Sequence, residues 1–375
     1  MKILLAGEWQ ADIHEAAWAN GLRALGHHVT PFGWHERFQR GTGIVRRLSA
    51  RVQNRALIGP LVARLNWDLL RLAIDDRPDV LLLFRGTHIW PGTLRWLKWR
   101  RPHLVLATYN NDDPFSHRAA PGLWRHYLRS ARITDINLAY RQKSVADLRR
   151  FGASGVHLIR SAFVPEKDRP VELGAADHQR FDCDVVFAGH FETDGRLPFL
   201  QAVANSGIRF RLFGPDWNRA PDAPWLARLR PIQPLRGQDY TKAIQAAPIS
   251  LCFLSGLNHD TYTRRCFEVP AIGSLLLCQR SADMEALFIA GVEADYFSDP
   301  AELLAKIELY LRDEPRRAKV ARAGQAKVYA AGHDITSRMR EVERIFQDAI
   351  DQTRRTGPDS HGVDHHAGSA VRGLG

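Results

Sequence analysis

Ile249-Ser250-Leu251-Cys252-Phe253 is an apolar run. After it the chain reads Leu257-Asn258-His259-Asp260-Thr261-Tyr262-Thr263-Arg264-Arg265-Cys266-Phe267-Glu268-Val269-Pro270-Ala271-Ile272-Gly273, then Leu275-Leu276-Leu277. The first five residues have the length and composition of a buried strand. A polar loop with two arginines then enters a short helix over Arg265–Ile272, and Gly273 stops it before a second apolar strand. Strand, loop, helix and strand in about 30 residues make one unit of a parallel sheet.

The same rhythm runs outward in both directions. Upstream lie a strand at Asp184–Ala188, a helix at Leu197–Asn205 and a strand at Phe210–Phe213. Downstream come helices at Pro300–Leu311 and Arg316–Ala330, and a last helix near Ile335–Gln352. The first half offers strands at Lys2–Ala6, His28–Phe32, Val80–Phe84, Leu104–Thr108, Ile136–Ala139 and Val156–Ile159, with a helix over His14–Leu25. Prolines at 165 and 170 mark a break between two such series. The expected fold is α/β, with two Rossmann-like domains: residues 1–165 and 166–334, followed by a helix at 335–352 that crosses back to the first domain. From residue 353 the chain is polar and Gly-rich, and a disordered tail is expected. Its His365-His366 pair reads as solvated tail rather than as metal ligands.

The chain has 375 residues, 45% of them hydrophobic and 25% charged, which excludes wholesale disorder. No apolar run is long enough to cross a bilayer, and the four cysteines are widely spaced with no C-x-x-C pair. That pattern points to a reducing cytoplasm, without a disulfide scaffold or a zinc site. Net charge is +11 and uneven: residues 1–165 carry 25 Lys/Arg against 12 Asp/Glu, whereas residues 166–375 carry 27 against 29. A half-molecule bias of this size suits an anionic partner such as a membrane surface, nucleic acid or a phosphorylated substrate.

In open parallel sheets, ligands sit outside the carboxyl ends of the strands. Gly189, at the end of Asp184–Ala188, lets the backbone approach a phosphate, and a helix starting near Arg196 would aim its N-terminus there. The bland alternative is an ordinary strand–helix turn. In the loop after Ile249–Phe253, Arg265 and Glu268 are three apart and share a helix face. A guanidinium fork suits a diphosphate, and a carboxylate suits the two hydroxyls of a ribose. Glu268 at a helix start could equally serve the helix dipole alone.

These residues carry a resemblance. Asp260, Thr263, Arg265, Phe267, Glu268, Val269, Pro270, Ala271 and Gly273 follow the D-x-x-T-x-R-x-F-E-[IV]-P-A-x-G pattern of CgeB-like (spore-maturation-protein type) glycosyltransferases. Tyr109–Phe115, Tyr140-Arg141, Asp184–His190 and Phe288–Phe297 are similar to that family's patterns as well. The resemblance implies a GT-B architecture with the nucleotide-sugar donor on the C-terminal domain and the acceptor on the N-terminal one. Retaining members of the superfamily carry E-x7-E. Here it stands as D-x7-E, so Glu268 would hold ribose, while Asp260 is shorter than the usual first Glu. Arg265 would meet the pyrophosphate, with Gly189, Arg196 and Thr263 beside it. No cofactor beyond the nucleoside-diphosphate-sugar and no bound metal is implied, since cationic side chains and helix N-termini stabilise the leaving group.

On the N-terminal side, Asn111, Asp112 and Asp113 follow the strand Leu104–Thr108. Asp112 or Asp113 could act as base towards an acceptor hydroxyl, or Asp113-Pro114 could simply shape a turn. Gly7-Glu8-Trp9 follows the first strand and is a second cleft loop. His14 and His190 are alternative proton carriers or structural histidines. Residues 37–65 interleave Ile44, Val45, Leu48, Val52, Leu57 and Leu61 with Arg46, Arg47, Arg51, Arg55 and Arg64. They read either as a helix lying on anionic lipid, suited to a lipid-linked or envelope-glycan acceptor, or as a core-packing helix with a solvated Arg face.

The expected activity is therefore transfer of a sugar from a nucleoside-diphosphate donor to an acceptor hydroxyl, retaining by analogy. A nucleotide-sugar epimerase shares the architecture. A phosphorylase-like enzyme would need a cofactor lysine, but Lys242, Lys306, Lys319 and Lys327 lie on expected helices. A non-catalytic nucleotide or RNA binder would use the basic first half, although no RRM, KH or helix-turn-helix pattern accompanies it.

Overall fold

The computed structural model describes residues 1–39, 43–117, 120 and 122–356. Its first half runs β1 (Lys2–Gly7), α1 (Glu15–Ala24), β2 (His28–Gly33), α2 (His35–Gln39), α3 (Ile44–Ala56), α4 (Pro60–Asp76), β3 (Val80–Phe84), α5 (Pro91–Arg100), β4 (Val105–Asn110), α6 (Arg125–Ala131), β5 (Ile136–Ala139), α7 (Gln142–Phe151) and β6 (Val156–Leu158). The second half runs α8 (Ala175–Phe181), β7 (Val185–Ala188), α9 (Leu197–Asn205), β8 (Phe210–Phe213), α10 (Pro224–Arg228), α11 (Gln238–Ala246), β9 (Ile249–Cys252), α12 (Arg265–Ile272), β10 (Leu275–Gln279), α13 (Ala282–Leu287), β11 (Asp295–Phe297), α14 (Pro300–Arg312), α15 (Glu314–Ala330) and α16 (Ile335–Thr356).

Every strand pairs in parallel. The first sheet has the order β2-β1-β3-β4-β5-β6 and the second β11-β10-β9-β7-β8. Parallel sheets covered by helices on both faces need strands that are apolar on both sides, and β3, β4, β7 and β9 are buried at every position. Each sheet reverses direction once along its order: between β1 and β3 in the first, and between β7 and β9 in the second. At such a switch point adjacent loops leave on opposite faces and open a crevice at the carboxyl ends.

The halves are tied together. Helix α16 packs along α1, and its Met339, Val342, Phe346 and Ile350 join the same core as Ala17, Trp18 and Leu22. Gly21 on α1 has no room for a side chain, because a Cβ there would lie 2.7 Å from Met339 Cγ. Phe163 N donates to His333 O and Ile335 N to Phe163 O, so the two chain crossings between halves run side by side. Tyr140 and Tyr262 stack at 4.6 Å across the divide, and the Tyr262 hydroxyl donates to Tyr140 O at 2.7 Å.

Two expectations change. The chain is helical through Thr356, past residue 353, because no breaker comes before Gly357-Pro358. Residues 357–375, including His365 and His366, lie outside the described residues. The stretch 37–65 is not one helix, as Gly59-Pro60 already implies from sequence: that pair separates α3 from α4, and Leu57 adopts φ 53° at the break. Nor does α3 pack its apolar face into the core, since Ala50 is its one buried residue.

Candidate functional site

A cavity of about 760 Å³ lies where the loops leaving the two sheets meet. From the first half come Gln10–His14, after β1, and Asn111, after β4. From the second come His190, Glu192 and Arg196, after β7, and Phe253 to Glu268, after β9 and into α12. The second sheet thus presents both loops of its switch point to this space, and the first presents the loop after β1 together with Asn111.

Glu268 sits in the first turn of α12 and is 6% exposed, with its carboxylate at the cavity wall. Its guanidinium partner is Arg264, four residues earlier, and not Arg265. Tyr240 OH donates to Glu268 Oε2 at 3.0 Å. Arg264 also donates to Asp168 Oδ2 at 3.0 Å and to Ile13 O at 2.9 Å, the latter on the opposite half. Burial, then the charge of Glu268, pushes the Asp168 carboxyl up to about 6. Arg265 and Glu268, expected on one helix face, both line the cavity, while the i,i+4 spacing places the Arg264 guanidinium beside the carboxylate.

Arg265 turns towards β7 instead. Its Nε donates to Ala188 O at 2.6 Å, and its Nη2 lies 3.3 Å from where a Cβ on Gly189 would stand. Such a Cβ would also lie 2.6 Å from Phe187 Cζ, so glycine is required by space. The guanidinium borders the cavity beside the Gly189 backbone, the arrangement that suits an anionic oxygen.

Asp260 also lines the cavity. Arg141, from the start of α7 and 2% exposed, donates to Asp260 Oδ1 from Nε at 2.6 Å and again from Nη2, and its Nη1 donates to Asn111 O at 2.8 Å. Burial pushes the Asp260 carboxyl up to about 6 despite that cation. Thr263, nearly buried, shares the wall and packs its hydroxyl 3.5 Å from Cys252 Sγ.

His190 reaches Glu192 at 2.5 Å, and Ser255 Oγ donates to the other Glu192 oxygen at 2.5 Å. Burial opposes charge on Glu192, yet His190, Ser255 and Arg196 together hold its carboxyl below the usual range. Arg196, expected among the donor-binding residues, lines the cavity at the start of α9. Its Nε and Nη2 are spent on Asp194 and its Nη1 on His190 O, so it orders the loop ahead of α9.

Facing these groups, His14 lines the cavity from the N-cap of α1. Burial, then the charges of Arg264 and Arg85, pushes its imidazole down to about 4, so it is neutral at pH 7. The buried Asn111 Oδ1 has no hydrogen-bond partner among the described residues, an acceptor left open at a ligand wall.

The other N-terminal candidates stand elsewhere. Asp113 has a fully buried side chain that takes bonds from Phe115 N at 2.9 Å, His259 at 2.8 Å and Lys143 at 3.0 Å. Those partners outweigh burial and keep it ionised, in the turn-and-clamp arrangement rather than at the cavity. Asp112 pairs with Arg85 at 2.8 Å and also lies off the larger cavity. Gly7 is needed where it stands, since a Cβ would lie 2.4 Å from Glu15 Oε1, which accepts from Glu8 N at 2.7 Å. Glu8 borders a second cavity of about 540 Å³ with Trp34, Arg47, Arg51 and His88; Gln10 lines both cavities. Trp9, at φ 56°, packs under Gly33, and its buried Nε1 has no partner among the described residues, like that of Trp34.

Cys252, Cys266 and Cys278 bring their sulfurs within 4.8 Å of one another, from β9, α12 and β10. Their wide spacing in sequence hid this. Among the described residues they are the one cluster that could hold a metal, and thiolates would suit a soft ion. All three are buried in the apolar core behind Thr263, where they pack as small apolar groups. Arg141, Asp168, Glu192, Arg264 and Tyr240 had no assigned role from sequence. Only the i,i+4 spacing of Arg264 and Glu268 was a local signal.

Residues 196–344 match the family described as "Glycosyl transferase-like". No curated protein matches the chain in sequence. Solved structures of similar shape include Anabaena Alr3699/HepE in complex with UDP and glucose, at 13% identity and TM-score 0.62, over 93% of this chain and 100% of that one. The sucrose-phosphate synthase of Thermosynechococcus elongatus aligns at 13% identity and TM-score 0.66, over 94% and 100%. A candidate UDP-N-acetylglucosamine 2-epimerase from Listeria monocytogenes aligns at 11% and 0.57, over 94% and 97%. The chain therefore has the GT-B fold, two Rossmann-like units facing across a cleft.

Proposed function

We propose that this protein is a GT-B glycosyltransferase that moves a sugar from a nucleoside-diphosphate donor to an acceptor hydroxyl. The observation that carries the reading is the interdomain cavity, with a carboxylate and an unspent guanidinium edge side by side on the α12 wall. Glu268, braced by Arg264 and Tyr240, accepts from the two ribose hydroxyls. Arg265 and the Gly189 backbone take the diphosphate as its charge grows on bond cleavage. The family match covers this half, and neighbours of the same fold were solved with UDP and glucose.

The transferred sugar then projects towards Asp260, His190 and the first half. Neutral His14 is suited to accept a hydrogen bond from the incoming hydroxyl, with Asn111 beside it. We assign the chain to the CgeB-like type, with retention of configuration and no metal on the leaving group, on the D-x7-E pattern and the cationic wall. The acceptor is a glycan or lipid-linked hydroxyl entering from the side of Glu8 and Trp34. An epimerase would use the same donor pocket without an acceptor.

The test is a thermal-shift and calorimetry panel of UDP, GDP, ADP, CDP and TDP, followed by the matching sugar conjugates. One diphosphate should stabilise the protein in the micromolar to millimolar range, and its sugar conjugate should release diphosphate only when acceptor is present. No stabilisation by any of the five at millimolar concentration refutes the donor pocket. An epimerised sugar nucleotide as sole product refutes transfer.

A further inference from the structure

Helix α3 turns its apolar side outward. Ile44, Val45, Leu48 and Val52 are 84, 82, 60 and 58% exposed, and Ile58 just beyond the helix is 55% exposed. On the 3.6-residue period, Ile44, Leu48 and Val52 form one stripe that lies opposite Ala50, the helix's buried contact with the body. The helix is not loosely attached. His88 Nε2–H donates to Asn54 Oδ1 at 2.7 Å, Arg125 donates to Ala56 O, and Leu57 O accepts from Trp90 Nε1 at 3.3 Å. A held helix whose stripe of branched aliphatics faces water needs something to cover it.

The charges beside the stripe say what covers it. Residues 43–67 contain five arginines (Arg46, Arg47, Arg51, Arg55 and Arg64) and no Asp or Glu. Arg47 and Arg51 run along one edge of the apolar stripe, Arg55 continues the stripe at its end, and Arg46 stands on the opposite side near Ala50. Helix α4, packed on α3, carries the exposed Trp67, and α5, packed on α4, carries the exposed Trp96 and Trp99. Aliphatic residues at the centre, arginines at the edges and tryptophans nearby suit the headgroup–acyl boundary of a bilayer. Protein interfaces seldom gather so many like charges round an apolar centre unless the partner is strongly acidic.

We propose that α3 docks this protein on an anionic lipid bilayer, with Ile44, Leu48 and Val52 entering the acyl boundary and the arginines meeting lipid phosphates. Arg47 and Arg51 also line the smaller cavity, so the docked surface adjoins the side from which the acceptor enters. That last consequence rests on the donor reading above; docking itself does not.

The experiment is sedimentation of the full chain with phosphatidylcholine vesicles, with and without 30% phosphatidylglycerol, at 0.05 and 0.5 M salt. Wild type should bind the anionic vesicles, bind neutral ones at least tenfold more weakly, and lose most binding at high salt. Ile44→Ser combined with Leu48→Ser should weaken anionic-vesicle binding by about tenfold or more, with an unchanged melting temperature and unchanged binding of the stabilising nucleoside diphosphate. Nucleotide binding is read without lipid, so either proposal can fail alone. Absence of binding to anionic vesicles, binding that the double variant leaves intact, or a concentration-dependent dimer that the variant dissolves would each overturn lipid docking.

Discussion

Glu268→Gln separates a binding role from a folding role at the centre of the cavity. The amide keeps the shape: its oxygen accepts from Arg264, and its NH2 donates to the Tyr240 hydroxyl oxygen, so both retain a partner. What it loses is charge. A ribose hydroxyl donating to a carboxylate instead of an amide gains about 1 kcal/mol more, so with two hydroxyls nucleoside diphosphate affinity should fall about 30-fold. The fold should tolerate the change, because Asp168 also pairs with Arg264. Asp168 is pushed up to about 6 by burial and then by the charge of Glu268. Removing that charge moves Asp168 down, so it is ionised at pH 7.5 and still neutralises the guanidinium. The stability loss should stay within about 1–2 kcal/mol, a few degrees in melting temperature. Calorimetry with the stabilising nucleotide at pH 7.5, beside a urea titration, reads both quantities. Affinity within twofold of wild type in a folded variant would refute the ribose role. A stability loss above about 4 kcal/mol would show that the carboxylate is chiefly a structural anchor.

Two further outcomes test the walls around it. Arg141→Met leaves the Asp260 carboxylate buried without its cation, and should cost about 3–5 kcal/mol by urea unfolding; a loss below 1 kcal/mol would mean that the interdomain bridge contributes little. His14 has its folded pKa lowered from 6.5 to about 4, so its contribution is present above pH 6.5 and is lost as pH falls towards 4, by about 3 kcal/mol in all. His14→Gln should therefore show a shallower fall in stability over that window, and parallel curves for the two proteins would refute a buried neutral imidazole.

Much of the framework was legible in the chain. Short apolar runs bounded by Gly, Pro or Asp mark strands, and β3, β5 and β8 fall where such runs predict, while α12 ends at Gly273 as its glycine stop predicts. Gly189 was also legible, because a glycine at a strand end has a local steric meaning. The partners of the site residues were not. Arg264 and Arg265 are adjacent and alike in sequence, and the turn of α12 sends one to Glu268 and the other to Ala188 O. Asp112 and Asp113 are likewise adjacent, yet one meets Arg85 and the other is sealed by His259 from the opposite half.

Residues 37–65 show the division most plainly. Their amphipathic, arginine-rich character is a property of the chain, but which face turns to the body depends on His88 and Arg125, side chains contributed by distant segments. The same holds for the cavity. Strand and helix periodicity is a short-range consequence of backbone geometry, so the order of residues dictates two parallel sheets with polar loops at their carboxyl ends. The pairing of a carboxylate with a cation falls off within a few ångströms. Bringing Arg141 to Asp260 is therefore the work of packing between halves, and bringing Arg264 to Asp168 and three cysteines to one point is that of packing within the second.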